Sequence, residues 1–252
     1  MVETVYSIPG APRLALLTDF HNGDHVPILR SLERRRPEII CLAGDVVYDL
    51  WPASPDILAQ ERNILPLLRG CAAIAPAFLS LGNHECILSP EDLSRLGDTG
   101  VEVLDNRWTT WETYAIGGLS SHAVVDLRAY QALHPGPLPS PRVREGRDGW
   151  KTIRTPDTGW LADAPAGYRI LLCHHPEYYP LLPGDIDLIL CGHAHGGQWR
   201  IFGHGVFAPG QGLWPRWTSG VTEGRMVISR GLKNTTRLPR ICNPTEIVYL
   251  NL

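Results

Sequence analysis

Short runs of apolar residues recur along this chain. Each run is followed by a polar cluster that contains glycine, asparagine or histidine. Near-continuous apolar runs of this length are typical of strands that are covered on both faces of a sheet. The pattern therefore predicts a series of buried strands, each ending in a polar turn. The runs are 13–20, 39–43, 77–81, 169–173 and 186–191.

Apolar positions at helical spacing follow the first three runs. They predict a helix over His25–Arg36 and a second over Ser54–Gly70, which Pro66 kinks or divides. A third helix opens at Ser89, with a proline at its first position and Asp92 three residues after the cap. Units of strand, polar turn and helix in series predict an α/β fold with mainly parallel pairing. In such folds ligands bind beyond the carboxyl ends of the strands.

The pattern is weaker in the middle and in the last part of the chain. Short strands are predicted over Val101–Leu104 and Trp111–Ile116, and a helix is predicted over Val124–Leu133. Two longer segments are irregular: Arg142–Arg154 is basic, and Gly203–Trp217 is rich in Gly, Pro and Trp. Long loops of compact domains are often functional, but both segments are equally explained as surface structure that caps the sheets.

Side chains suited to metal binding are concentrated in the polar turns. Imidazole is the commonest protein ligand for borderline divalent metals, and a carboxylate can bridge two of them. Each cluster alone is equally explained as a turn, because Asp, Asn and Gly favour turns. Together they would converge on one sheet edge. In chain order these side chains are Asp19, His21, Asp45, Asn83, His84, His174, His175, His193 and His195.

Composition narrows the class of protein. The chain has 252 residues, of which 44% are hydrophobic, so it can bury a sizeable core. Its net charge of −3 argues against a general nucleic-acid binder, and no stable nucleic-acid partner is expected. We find no signal peptide, no apolar run of about 18 residues and no Cys-x-x-Cys pair. We therefore expect a reduced, cytoplasmic enzyme without a transmembrane segment, and leave peripheral membrane contact and oligomeric state open.

In order, the five clusters read Asp-x-His, Gly-Asp, Gly-Asn-His-Glu, His-His-Pro and Gly-His-Ala-His. In this combination the chain resembles the calcineurin-like metallophosphoesterases. Residues Gly192–Gln198 and several motifs between Ser229 and Ile247 look like one branch, the bacterial phosphoesterases that act on UDP-2,3-diacylglucosamine. The chain departs from that branch at Gly117–Ser121, where many members have Asp-Asp, and at Lys233, where members have glycine.

The resemblance implies a fold and a reaction. The fold is a four-layer αββα sandwich, two mixed sheets flanked by helices, here as a single domain over residues 1–252. Two divalent metals, for which the donor set suits Mn, Fe or Zn, activate a hydroxide that attacks phosphorus in line with the leaving group. The resemblance assigns one metal to Asp19, His21 and His195, and the other to Asn83, His174 and His193.

Further roles follow from the same resemblance. Asp45 bridges the two metals, and His84 protonates the leaving alkoxide as a general acid. Glu85 is expected to orient an imidazole, and His175 to lie in the outer shell of the site.

The predicted substrate is a small-molecule phosphoester, either a phosphodiester or a nucleotide-linked pyrophosphate. Selection among phosphoesters must come from groups around the metals, and Trp214, Arg216 and Trp217 are the predicted binding residues. Two other functions are kept open: a nuclease that acts on single-stranded nucleic acid, and a non-catalytic metal-binding scaffold. The chain has no Gly-x-x-x-x-Gly-Lys loop, so an ATPase is not expected.

Overall fold

The structure is a computed structural model, and it describes residues 1–48, 56–126, 143–144, 151–236 and 238–252. Helices α1–α4 are Val26–Arg35, Ile57–Gln60, Ile64–Ile74 and Pro90–Gly97. Short 3-10 helices span Glu85–Ile87, Gly159–Asp163, Pro176–Leu181 and His195–Gly197. Strands β1–β19 are Val2–Tyr6, Leu14–Leu17, Ile39–Ala43, Ala77–Ser80, Glu102–Leu104, Arg107–Trp111, Tyr114–Leu119, Ala123–Asp126, Val143–Arg144, Lys151–Ile153, Tyr168–Cys173, Leu188–Cys191, Arg200–Ile201, His204–Gly205, Phe207–Ala208, Gly212–Leu213, Gly220–Thr222, Met226–Ile228 and Glu246–Leu250.

Two six-stranded mixed sheets form the centre of the molecule, as expected. The first has the order β1-β19-β2-β3-β4-β5 and the second β17-β18-β12-β11-β7-β6. Strands β2 to β5 pair in parallel, and so do β7, β11, β12 and β18. Strand β19 lies between β1, to which it is parallel, and β2, to which it is antiparallel. Smaller elements are the sheet of β8, β9 and β10 and the hairpins β13–β14 and β15–β16.

Alternation along the strands divides the apolar side chains among three cores. Leu16 of the first sheet belongs to the core between the sheets, together with Leu172 of the second. Its neighbour Leu17 belongs to the core under the helices, with Leu32 of α1. The outer face of the second sheet packs against segments that include the 3-10 helix of Pro176–Leu181. The layers are therefore helices, sheet, sheet and a thinner cover of 3-10 helices.

The predicted helices differ from the observed ones in instructive ways. Helix α1 and the capping box at Ser89 are confirmed. The predicted helix over Ser54–Gly70 is divided into α2 and α3, but the break falls before Pro66, which lies in the first turn of α3. A proline is tolerated there because the first N–H groups of a helix have no partner within it.

The predicted helix over Val124–Leu133 is wrong in its described part, because Ala123–Asp126 forms strand β8. Strand β8 pairs with β10 from a distant part of the chain, and valine is a residue type that favours strands. Residues 127–133 lie outside the described residues. Of the basic stretch Arg142–Arg154, the structure describes only 143–144 and 151–154.

Candidate metal centre

The loops that follow five parallel strands meet at one edge of the two packed sheets. The loop after β2 is joined to the loop after β3, because the Asp19 N–H donates to the Gly44 carbonyl over 3.1 Å. In the second sheet the Gly192 N–H donates to the His174 carbonyl over 3.0 Å. These loops carry the predicted ligands, and all but the partly exposed His195 are buried: Asp19, His21, Asp45, Asn83, His174, His193 and His195.

Asp45 lies at the middle of this cluster. Its Oδ2 is 3.1 Å from Nε2 of His174 and 3.8 Å from Nε2 of both His21 and His84. Asp19 lies beside it, with Oδ1 3.5 Å from Nε2 of His195 and 3.9 Å from Nε2 of His21. Two carboxylates thus face the same group of imidazole nitrogens, with His21 between them.

Two of the imidazoles are fixed by backbone carbonyls. Nδ1 of His21 is 2.9 Å from the Val47 carbonyl, and Nδ1 of His174 is 2.7 Å from that of Ala43. A proton on Nδ1 satisfies each bond and, when the ring is neutral, leaves the Nε2 lone pair directed at the carboxylates. Nε2 of His21 is buried and makes no hydrogen bond within the described residues. A buried lone pair among carboxylates, in a set of imidazole, carboxylate and amide donors, fits a borderline divalent metal such as Mn, Fe or Zn.

The protonation states agree with a cation site. Burial lowers the pKa of His21, and the neighbouring His84 lowers it further. Burial alone would also lower the pKa of His174, but the carboxylates of Asp45 and Asp19 raise it to about 10. Burial would raise the pKa of Asp45, yet His174 and His84 hold it well below its usual range. The buried carboxylate of Asp45 is therefore compensated by positive charge at the same position where a metal would supply it.

The backbone at these loops is strained. Asp19, His21, Asp45, His193 and His195 have φ angles between 45° and 66°, in the left-handed region that residues other than glycine rarely adopt. Each such residue costs about 1 kcal/mol or more, and clusters of them are typical of functional sites. The sharp turns direct side chains from three different loops into one small volume.

Glycines make room for the two carboxylates. A Cβ added at Gly82 would clash with Oδ1 of Asp45, and one added at Gly192 would lie 2.6 Å from Oδ2 of Asp19. A Cβ at Gly231 would lie 2.8 Å from the Asp19 Cβ. The loops can therefore enclose the carboxylates only because these positions lack side chains.

Glu85 acts differently from the prediction. We expected it to orient an imidazole, but its carboxylate accepts hydrogen bonds from three backbone N–H groups, those of Asp45, Val47 and Gly82, at 2.7–3.0 Å. Burial and the charge of Asp45 raise the pKa of Glu85 to about 7. It joins the loop after β3 to the loop after β4, and so it positions the backbone that carries Asp45.

His84 and His175 lie on opposite sides of the cluster. Nδ1 of His84 is 2.8 Å from the Tyr48 carbonyl, and its backbone N–H donates to Asp45 Oδ1 over 2.9 Å. Nε2 of His84 lies 3.8 Å from Asp45 Oδ2, and His84 lines the pocket. Nε2 of His175 makes a hydrogen bond with Ser121 Oγ over 2.7 Å. The His175 ring also packs edge-to-face against the ring of His193, with ring centroids 4.2 Å apart.

A cavity of about 440 Å³ opens beside the cluster. Asp45, Asn83, His84, His193 and His195 form its polar end. The rest of the cavity wall is largely apolar, and the sequence did not predict most of its residues. The sequence feature that could have indicated them is that they lie in glycine-rich and proline-rich segments next to the histidine turn. This wall consists of Ala194, Gln198, Trp199, Phe207, Pro209, Leu213, Thr235, Thr236 and Leu238.

The three predicted substrate-binding residues do not line this cavity. Trp217 packs against Tyr179, with ring centroids 6.2 Å apart, as part of the outer core of the second sheet. The Arg216 guanidinium lies 4.9 Å from the centre of the Trp217 ring, and its side chain is exposed. Trp214 is also exposed. Packing, the alternative that the sequence left open, accounts for Trp217.

The amino-acid sequence is similar to a known family and to curated proteins. Residues 12–197 match the family model described as calcineurin-like phosphoesterase. The chain is 27% identical over 255 residues to phosphodiesterase YaeI of Escherichia coli (strain K12), covering 95% of this chain and 82% of that protein. It is 24% identical over 260 residues to the uncharacterized metallophosphoesterase Cj0846 of Campylobacter jejuni, covering 95% of this chain and 59% of that protein.

Among solved structures the chain is similar to the sulfate thiohydrolase SoxB of Thermus thermophilus. The TM-score is 0.45 and the sequence identity 12%, and the match covers 88% of this chain and 52% of that structure. The chain thus spans about half the length of that structure.

Proposed function

Because the chain belongs to the calcineurin-like phosphoesterase family and is a phosphoester hydrolase, we propose that it hydrolyses a phosphodiester or a nucleotide-linked pyrophosphate at the cluster around Asp45. The narrower branch, with UDP-2,3-diacylglucosamine as substrate, stays a prediction from the sequence. The native metal and the physiological substrate also stay predictions.

One observation carries the proposal: the side chains of four loops form two neighbouring groups of metal-binding atoms, and one of these groups contains Asp45. Asp19, His21 and His195 form one group of atoms within 4.8 Å of one another, and Asp45, His174 and His193 form another. Each group would hold one divalent metal, with Asn83 added to the second and Asp45 shared. When bound, two such ions neutralise charge on the phosphoryl group and lower the pKa of a water molecule.

His84 is the proposed proton donor. Its ring is held through Nδ1 by the Tyr48 carbonyl, and His84 lines the pocket. In its imidazolium form His84 carries a proton on Nε2 as well as on Nδ1. As the bond between phosphorus and the leaving oxygen breaks, Nε2 gives its proton to that oxygen and the ring becomes neutral. A hydrogen bond from the His84 backbone N–H to Asp45 fixes the distance between the proton donor and the centre of the site.

The pocket favours a small substrate with an apolar part over a nucleic acid. Trp199, Phe207 and Leu213 line the wall opposite the polar end. Such a wall contacts apolar groups and excludes water from the reacting phosphoryl group, but it offers no row of cations for a sugar-phosphate backbone. The nuclease alternative has no comparable feature in its support.

The role of His84 is tested by changing the leaving group. The variant His84→Asn should lose about 100-fold or more in kcat/KM on a diester with an aliphatic alcohol as leaving group. It should lose much less on bis-p-nitrophenyl phosphate, because nitrophenolate leaves without a proton. Metal content, measured by mass spectrometry, should be unchanged.

A matched variant, His204→Asn, replaces an exposed histidine on β14 and should be unchanged on both diesters. Equal losses of His84→Asn on the two substrates, or a loss of metal, would contradict the proton-donor role. Absence of hydrolysis of both diesters by the wild-type protein loaded with Mn would contradict the proposed function itself.

A further inference from the structure

Large apolar side chains are exposed together on one part of the surface. The hairpin β13–β14 turns at Phe202, whose side chain is 99% exposed, and Leu213 and Trp214 at the end of β16 are 72% and 68% exposed. Single exposed apolar residues are ordinary, but a contiguous group marks an interaction surface. We call this group the hairpin face, and it consists of Ile201, Phe202, Phe207, Leu213, Trp214, Leu238 and Ile241.

Backbone pairing holds these residues together. The Trp214 N–H donates to the carbonyl of Val206, the residue that joins the two hairpins, over 2.9 Å. On the other side of β13, Trp199 pairs with Ile241, and the Arg200 N–H donates to the Ile241 carbonyl over 3.0 Å. The hairpins and the segment that contains Ile241 thus form one surface. The exposure of Phe202 follows from its place in a two-residue turn, where it protrudes from the molecule.

The hairpin face is continuous with the pocket. Phe207, Leu213 and Leu238 are each about half exposed or more, and each also lines the cavity next to the cluster around Asp45. An apolar surface therefore extends from the protruding Phe202 to the mouth of the site. Whatever covers this surface lies directly at the entrance for substrate.

The segment of the chain that contains the hairpin face is rich in basic residues. From residue 188 to residue 245 the sequence has seven Arg or Lys residues and one acidic residue, Glu223, although the whole chain has a net charge of −3. Several of these cations bind backbone carbonyls, as Arg200 and Arg240 do. Arg216, close to Trp214 in the chain, is 73% exposed and lies 3.9 Å from the carboxylate of Glu223. Aromatic side chains beside basic ones are typical of proteins that lie on anionic bilayers.

We propose that the hairpin face docks on an anionic lipid surface, with Phe202 and Trp214 in the interface between head groups and acyl chains. Separate protruding side chains suit a fluid bilayer, whereas a folded partner would need a matching concave surface. The Trp indole suits the boundary between water and lipid because one edge is polar. The mouth of the pocket then opens at the lipid surface. The docking proposal does not depend on which phosphoester the site hydrolyses.

The test uses vesicles of phosphatidylcholine containing phosphatidylglycerol, and vesicles of phosphatidylcholine alone. Wild-type protein should sediment with the anionic vesicles, more weakly with the neutral ones and less at high salt. The double variant Ile201→Ser with Phe202→Ser should lose at least tenfold in partition coefficient, since two large apolar side chains no longer leave water. Neither residue lines the pocket, so hydrolysis of bis-p-nitrophenyl phosphate in solution should stay within twofold.

A matched double variant, Val2→Ser with Val5→Ser, replaces two exposed apolar side chains on β1 and should bind vesicles like the wild type. Equal vesicle binding by the wild type and the Ile201/Phe202 variant would overturn the proposal, as would no binding of the wild type to anionic vesicles. A wild-type dimer in sedimentation velocity that the Ile201/Phe202 substitution dissociates would also overturn it, in favour of a second copy. Hydrolysis in solution is measured separately, so failure of docking and failure of the phosphoesterase proposal are distinguishable.

Discussion

At the scale of single residues, the carboxylate of Asp45 lies close both to proposed metal ligands, His21 and His174, and to the proposed proton donor, His84. Three imidazole nitrogens lie within 4 Å of its Oδ2, and its Oδ1 accepts the backbone N–H of His84. A side chain in this position would link the proposed metals to the proposed proton donor. Changes at Asp45 should therefore act on metal binding and on rate together.

We expect Asp45→Asn to reduce kcat/KM on bis-p-nitrophenyl phosphate by several orders of magnitude at saturating Mn, because an amide binds a divalent cation much more weakly than a carboxylate. The metal content should fall and the circular dichroism spectrum should stay that of the wild type. The exposed Asp163→Asn serves as control and should be unaffected. Near-normal turnover of Asp45→Asn would show that this carboxylate does not hold the metals.

A second residue-scale prediction concerns Gly82, where an added Cβ would clash with Asp45 Oδ1. Gly82→Ala should lower kcat/KM by about 100-fold or more by displacing that carboxylate, since small misplacements of catalytic groups have effects of this order. Gly97→Ala at the end of α4 has open space around the added methyl group and should keep full activity. A Gly82→Ala enzyme with wild-type activity would mean that the close contact has no role in positioning Asp45.

At the scale of elements, Glu3 joins the edge strand β1 to helix α1. Its carboxylate accepts a hydrogen bond from Ser31 Oγ at 2.7 Å and one from Arg35 Nε at 2.9 Å, and it also pairs with Arg34. The pKa of Glu3 is lowered below its usual 4.5, although the side chain is partly buried. The hydrogen bond from Ser31 has the largest lowering effect, followed by the hydrogen bond and the charge of the arginines. The ionised form therefore stabilises the attachment of α1 to the sheet.

This lowered pKa gives a pH-dependent contribution to stability. Because the pKa is lower in the folded chain, the contribution is present above about pH 4.5 and is lost as the pH falls through the folded-state value. Glu3→Gln should thus lower the free energy of unfolding by about 1–2 kcal/mol at pH 7, measured by urea denaturation. The difference from wild type should shrink below pH 4.5. Glu33→Gln, at an exposed position on the same helix, should show neither effect.

The elements show which parts of the fold the sequence determines locally. The buried strands, helix α1 and the cap at Ser89 could be predicted because each depends on a few neighbouring residues. Strand β8 could not be predicted, since it depends on pairing with Lys151–Ile153 from a later part of the chain. The hairpins of residues 200–213 are too short for a periodic signal.

The same distinction holds for the candidate site. The positions of Asp19, Asp45 and His174 at strand ends predicted that they would meet, because parallel strands bring their carboxyl ends to one edge. The contact of Glu85 with three backbone N–H groups was not predictable, because it depends on how two loops approach each other. Nor was the pocket wall at Phe207 and Leu238, which comes from segments far apart in the sequence.

At the scale of the whole molecule, no helix among the described residues is long and apolar enough to cross a membrane. The cysteines of the described residues are free, so disulfides do not contribute to holding the layers together. What joins the two sheets at the site edge is the set of loops with buried carboxylates and imidazoles. A cation bound there would stabilise the folded chain relative to the unfolded one.

We therefore expect divalent metal to raise the melting temperature. At a Mn concentration about 100 times the dissociation constant, the stabilisation is about 2.7 kcal/mol, or roughly 5–10 °C for a chain of this size. Scanning calorimetry of protein treated with chelator, before and after addition of Mn, measures the shift. Ca should give a smaller one, since imidazole-rich sites favour softer ions. An equal shift in Asp45→Asn and wild type would contradict a site centred on Asp45.

The position of β19 in the first sheet has a consequence for the way the protein is made. The proposed ligands all precede Gly196, whereas β19, which fills the place between β1 and β2, is Glu246–Leu250. A chain still growing on the ribosome therefore contains every ligand before its first sheet can close. Until the last strand emerges, β1 and β2 have open apolar edges, which are sites for misassociation and for chaperones.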